Sequence, residues 1–234
     1  MALYSYSRTM PGLRKRIGSA LSLVLIFAGL TMLTMVIYPI LTFELYYANK
    51  YSILASPVSE ESSDAPNNIS KVLGATFTDY TKASLWYPKA APVIVRPNLA
   101  EYSLSIPKLK INHAAVTING DDLSKSLIQY TGSLPGNIGN PVIFGHSTLL
   151  LFYNPKEYKS IFSKLPDLDL NDAIITEVDK ITYVYRIYKM YITTPGDLSV
   201  LDQKTDKEEL TLVTCVPPGT YIKRFIVKAK LERT

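Results

Sequence analysis

Hydrophobic and polar positions divide the chain into three zones. Residues 17–43 contain no charge and are dominated by Leu, Ile, Val, Phe and Met. A bilayer core of ~30 Å is crossed by about 20 apolar residues in a helix, which satisfies its own backbone hydrogen bonds without water. This zone is therefore expected to form a membrane-spanning helix. An export signal has a shorter apolar run of ~7–15 residues followed by a small-residue cleavage site. Pro39 to Phe43 offers no such site, so the helix is read as a retained anchor.

Residues 44–92 form the second zone. Its centre, 56–68, is a Ser, Glu, Pro and Asn tract with little to bury, so the zone reads as an extracytoplasmic stalk or linker. From residue 93 onward, short β-branched and aromatic runs alternate with Gly, Pro and Asn signals. Strands are expected at 102–106, 114–118, 141–144, 173–178, 182–193, 210–215 and 221–231. Short amphipathic helices are expected at 121–130 and 156–165. A mainly β domain over 93–234, barrel or sandwich with one or two short helices, follows from that pattern.

Charge adds an orientation. The net charge of +5 comes from 25 basic and 20 acidic residues, and Arg8, Arg14, Lys15 and Arg16 all precede the apolar zone. Without these four the balance is 21 against 20, so the basicity is a topology signal and gives no support to a nucleic-acid partner. Basic flanks stay cytoplasmic, which puts residues 1–16 inside, 17–43 in the membrane and everything later outside the cell.

Candidate chemistry is sparse. The single cysteine, Cys215, has no disulfide partner in the chain, so it is either a small buried hydrophobe or a nucleophile. It ends the apolar run 210–215, before a Val-Pro-Pro-Gly turn that cannot continue a ladder, so its thiol is expected at a sheet rim. The returning strand carries Arg224, which a hairpin of this length brings near the sulfur, although a strand arginine is more often a solvated surface charge. Of the two histidines, His146 follows a strand and Gly145, whereas His113 sits in polar surroundings that read as surface. A thiol with an ordinary pKa near 8.5 is only ~3% ionised at neutral pH, so a nearby imidazole is what would make it reactive.

These residues lie in boxes that resemble the sortase family. Thr211-Leu212-Val213-Thr214-Cys215 matches its T-L-x-T-C box, and Arg224-Phe225-Ile226-Val227 the pattern on the following strand. Pro135-Gly136-Asn137-Ile138-Gly139-Asn140 leads into the strand ending at Gly145-His146, and Ile106-Pro107-Lys108-Leu109 matches the domain's start. The order is preserved over about residues 101–231, and the T-L-x-T-C box is nearest to class D or E. The resemblance implies an eight-stranded sortase-type β-barrel preceded by one transmembrane helix. It implies Cys215 as nucleophile, His146 as general acid/base and Arg224 as oxyanion or substrate stabiliser, with Thr214 shaping the substrate site. It also implies transpeptidation: cleavage of an LPxTG-like sorting motif on surface proteins and transfer of the acyl group to a peptidoglycan or pilin amine. No metal site and no cofactor are expected, and a calcium requirement is left open. Where many members carry Gly-Asp, this chain has Asn171-Asp172, and asparagine tolerates the left-handed turn. The rival reading is a non-catalytic surface β-domain, adhesive or structural, with an inert Cys215.

Overall fold

The computed structural model describes residues 13–47, 50–51, 79–87, 99–203 and 206–233. It separates into two units, Met1–Leu41 and Thr42–Thr234. The first is built on helix α1 (Leu13–Thr42), where Leu21, Leu23, Val24, Leu25, Ile26 and Phe27 are exposed, as are Leu30, Leu33, Ile37 and Leu41. A helix apolar all round has no protein surface to bury it, which is the pattern of a lipid-facing segment. The stretch Ala20–Tyr47 is long and apolar enough to cross a membrane.

The second unit is a closed barrel. Its strands are β1 (Glu101–Ile106), β2 (Ile111–Ile118), β3 (Leu127–Thr131), β4 (Val142–Phe144), β5 (Ala173–Val178), β6 (Ile181–Thr193), β7 (Glu209–Val216) and β8 (Lys223–Leu231). They close in the order β1-β2-β3-β4-β7-β8-β6-β5. The pairs β2/β3 and β4/β7 are parallel and the others antiparallel. Closure leaves no unpaired sheet edge.

Alternation along the strands sorts the core into two layers. Leu104, Ile106, Val116, Leu127, Ile143, Leu212, Phe225 and Val227 fill the barrel. Ile128, Phe144, Val213, Cys215 and Ile226 point outward on β3, β4, β7 and β8, where Ala83, Trp86, Tyr87 and Val200 cover them. A sheet buried on both faces explains why every residue of β7 is buried.

Three sequence expectations change. Residues 121–130 are not a helix, because Leu127-Ile128-Gln129-Tyr130 lies in β3, with Leu127 facing the barrel core and Ile128 the outer layer. Residues 156–165 form turns that run into a 3₁₀ turn, Leu165–Asp167. There the Ser160 hydroxyl donates to Asn154 O at 3.0 Å, the local side-chain bonding that competes with a helix ladder. Parts of the supposed stalk are packed on the barrel: Tyr51, Ala83, Trp86 and Tyr87 are buried, since large aromatic rings gain most from leaving water, and Phe43, expected as the last residue of the membrane span, is buried too. The tract 56–68 lies outside the described residues. Asn171 takes the left-handed conformation, φ 68°, that its turn was expected to need.

The strand directions gather one set of termini at one barrel end. The 3₁₀ turn Pro107–Leu109, the last residues of β4 and β7 and the first of β5 and β8 all lie there. Residues 43–47 and 50–51 pack against this end. Tyr51 meets Phe225 edge-on at 4.7 Å, and its hydroxyl donates to Pro166 O. Glu44 pairs with Lys223 at 3.2 Å, and Tyr47 Oη donates to Asp167 at 2.7 Å.

Gly145, just past β4, is required for space. A Cβ there would lie 2.3 Å from Phe162 Cδ2 and 2.7 Å from Leu127 Cδ2, both in buried side chains that have nowhere to retreat. Gly145→Ala is expected to lower stability by about 1–3 kcal/mol through overpacking. Chemical denaturation of both proteins measures this, and an unchanged midpoint would contradict it.

Candidate active site

Phe144 of β4 pairs with Val213 of β7, and Val213 with Ile226 of β8. All three belong to the outer layer. Side chains repeat with period two, so the next outward positions toward the same end are His146, Cys215 and Arg224. Cys215 is directly paired with Arg224 across the antiparallel ladder. Beyond β4, Gly145 N donates to Val213 O at 3.1 Å and keeps the chain leading to His146 beside β7. With strands ~4.8 Å apart, the thiol sits in a row between the imidazole and the guanidinium.

Two hydroxyls hold that register. Thr214, on the opposite face from Cys215, donates to Gly145 O at 2.8 Å. Ser147 donates to Cys215 O at 2.6 Å. Each ties the segment carrying His146 to the strand carrying the thiol. His113, by contrast, is exposed on β2, 3.6 Å from Glu177, with β3 and β4 between its strand and β7.

The row is buried where the sequence suggested an open rim. Exposure is 0% for Cys215, 5% for His146 and 1% for Arg224. The cover is Trp86, the chain's single tryptophan, whose ring stacks on Phe144 at 5.2 Å and meets His146 edge-on at 5.9 Å. The Arg224 guanidinium lies 5.2 Å from the Trp86 ring, and its Nη2 donates to Trp86 O at 3.2 Å. Nearby, Tyr80 stacks on Tyr221 at 3.9 Å. Trp86 and Ser147 were not singled out from sequence. An isolated Trp-Tyr pair after a polar tract was the available signal for the first.

Arg224 is thus a buried fold element as well as a cation beside sulfur, and the expectation of a solvated charge does not hold. Nη1 donates to Tyr221 O at 3.1 Å, while Nε makes no hydrogen bond among the described residues. Removing the side chain would leave carbonyls and an aromatic face without their partner, so folding depends on it.

Burial also sets the protonation states. Desolvation lowers the His146 pKa to about 4 and raises that of Cys215 to about 11, with Arg224 pulling the latter back down. The resting pair is therefore neutral imidazole and thiol. His146 Nε2 is buried and makes no hydrogen bond among the described residues. No group of three His, Cys, Asp or Glu among the described residues is arranged to hold a metal ion.

The Sortase domain family model matches residues 104–232, more than half of the chain. The chain belongs to the sortase family. Sortase D of Bacillus subtilis (strain 168) is 29% identical over 132 residues, 54% of this chain and 61% of that protein, so the match spans less than two thirds of that relative's length. Among solved structures, a Clostridium perfringens Sortase D5 transpeptidase superposes with a TM-score of 0.50 at 25% identity, covering 60% of this chain and 83% of its own. Sortase A from Corynebacterium diphtheriae has a TM-score of 0.50 at 25% identity and covers 83% of each chain. The class D affinity read from the T-L-x-T-C box agrees with the first two. These comparisons do not favour the rival of an inert surface domain.

Two expectations follow for this sortase. Between pH values of about 4 and 6.5 the unfolded chain binds a proton at residue 146 that the folded chain refuses, so this group's contribution destabilises the fold as pH falls through that window. The wild-type melting temperature should therefore drop more between pH 7 and pH 4 than that of His146→Gln, while carboxylates titrate alike in both. Equal drops would show that burial does not depress this histidine. Second, Trp86→Ala, assayed well below its melting transition, should speed maleimide labelling of Cys215 by about tenfold or more, because access to a buried thiol is limited by opening of its cover. An unchanged rate would mean that Trp86 does not close the site.

Proposed function

We propose that this sortase is a membrane-anchored cysteine transpeptidase acting outside the cell. The observation that carries the reading is the single outward row of His146, Cys215 and Arg224 on three adjacent strands. An imidazole with a free acceptor, a thiol and a fixed cation form a set suited to acyl transfer. The basic residues before α1 support a cytoplasmic amino terminus.

In this mechanism a sorting-motif segment of a surface protein displaces the Trp86 cover. His146 Nε2 takes the thiol proton, and the thiolate attacks the carbonyl carbon of the motif's threonine. Arg224 Nε, the donor not already held by backbone carbonyls, faces the oxygen on which negative charge develops or orients the motif backbone. The tetrahedral intermediate collapses as the carbon–nitrogen bond breaks, and imidazolium returns the proton to the leaving amine. A peptidoglycan or pilin amine then attacks the thioester, His146 accepts its proton, and the thiolate is released. Exclusion of water from this buried row favours the amine acceptor over hydrolysis. Thr214 acts through position: with its hydroxyl engaged by Gly145 O, it supports the site from behind. Segment 194–209, immediately before β7, is the expected contact for the motif. Every step is supplied by side chains, and no cofactor enters the reaction.

The test incubates the full chain with LPxTG-like peptides and amine acceptors and identifies products by mass spectrometry, with and without a calcium chelator. A thioester at Cys215 and an amide-linked product are expected. His146→Ala should lower turnover by on the order of 10²-fold or more, and His113→Ala by no more than a few-fold. Arg224→Lys should lose most of the activity lost in Arg224→Ala, because an ammonium does not reproduce the planar fork. Both Arg224 variants should also melt at lower temperature than wild type, since the side chain is buried. Turnover without a Cys215 adduct, or equal losses from the two histidines, would overturn the assignment.

A further inference from the structure

We propose that Asn140 and Gln203 are positioning residues for the sorting motif, because their paired amides hold segment 194–203 in place as a preformed wall of the site. This role rests on the transfer function proposed above and names what fixes the segment expected to contact the motif.

The segment leaves the sheet beside the reactive row. Thr193, the last residue of β6, pairs with Arg224 of β8. Its hydroxyl donates to Asp197 Oδ2 at 2.7 Å, and Asp197 Oδ1 accepts from Ser199 N at 3.1 Å, capping the 3₁₀ turn Leu198–Leu201. Within that turn Val200 is buried in the outer layer that also holds Val213, Cys215 and Ile226. Val200 and Trp86 thus cover one layer from two separate segments. Apart from Val200, residues 194–203 are exposed or half-buried. A loop with so little buried surface is ordinarily mobile, so directed hydrogen bonds must set its position.

Those bonds converge just past the turn. The Gln203 carboxamide accepts from Asn140 N at 3.1 Å and donates to Asn140 O at 2.9 Å and to Leu201 O at 3.1 Å. A primary amide carries the donor and the acceptor of a peptide group, so Gln203 pairs with the backbone of residue 140 much as a neighbouring strand would. Asn140 returns the grip. Its Nδ2 donates to Asp202 O at 3.3 Å, and its Oδ1 accepts from the Thr211 hydroxyl at 2.7 Å. Asn140 is buried and leads through Pro141 into β4, while Thr211 lies on β7. One asparagine therefore ties the wall to the strand before His146 and to the strand that carries Cys215. The chain closes on the same place again where Gly139 N donates to Lys207 O at 2.8 Å and Glu209 N to Gly139 O at 2.9 Å.

Neither amide belongs to the row of His146, Cys215 and Arg224, so their effect is on binding and not on the chemical step. A wall already in place spares the motif the cost of ordering it. When only a fraction of molecules hold the wall in position, apparent affinity falls by that fraction. Glutamine is the residue type this demands, since a carboxylate at 203 would lose the donor and face Asn140 O with charge.

The test compares full-length wild type with Gln203→Glu, which keeps the shape and the acceptor, and Gln203→Met, which keeps the length and loses both functions. Gln203 is exposed, so neither substitution opens the core. Each protein, in detergent micelles, is assayed with an LPxTG-like peptide and hydroxylamine as acceptor, and deuterium uptake is followed over residues 198–203. In both variants KM for the peptide is expected to rise by about fivefold or more with kcat within about twofold of wild type, and uptake is expected to quicken. Faster uptake at unchanged KM would show that the segment is no wall of the site, and unchanged uptake would show that the clasp does not hold it. A fall in kcat at unchanged KM would move the effect to the chemical step. Each of these results overturns the proposal. Absence of product from the wild type would instead overturn the transfer reading and with it the motif role, leaving uptake to report on the clasp alone.

Discussion

The hydrogen-bonded register of β4, β7 and β8 is the constraint on which the site depends. Three residues far apart in sequence become neighbours because the pairing of Phe144, Val213 and Ile226 sets His146, Cys215 and Arg224 in the next outward row. Period-two alternation makes this arrangement all or none: a one-residue slip of β7 would turn Cys215 into the barrel and bring Thr214 out. The buried hydroxyls of Thr214 and Ser147 bond carbonyls of the neighbouring segment and resist such a slip. Gly145 serves the same end by letting Phe162 and Leu127 close over the turn.

Burial then decides the chemistry. A low-dielectric cover penalises charge, so the imidazole and the thiol rest neutral while the guanidinium keeps its charge through carbonyl and aromatic partners. In the proposed mechanism, proton transfer within the pair would create an ion pair beside a fixed cation, and a substrate carbonyl arriving there would exchange the Trp86 contacts for its own. Arg224 joins fold and site in one side chain, so its contribution to turnover is separable from its contribution to stability only when both are measured.

Residues that sequence reading placed in a stalk instead bury Tyr51 against the barrel and bring Trp86 over the site. The cover of the site and the row of His146, Cys215 and Arg224 are consequently parts of one packed structure.

Much of this was readable from residues alone. Seven of the eight strands were legible because β-branched and aromatic runs bounded by Gly, Pro and Asn carry their own local signal, and the charge-free stretch before residue 44 announced a helix by length. The T-L-x-T-C box and the Gly-His strand end pointed to Cys215, His146 and Arg224. β3 was missed because a short run buried on both faces has no clean period, and its strand form comes from its partners β2 and β4. Strand order, the burial of Arg224 and the closure by Trp86 were decided only in three dimensions. They arise from pairing and packing between segments distant in the chain, and the free energy of such contacts belongs to the pair, so neither segment's sequence expresses it alone.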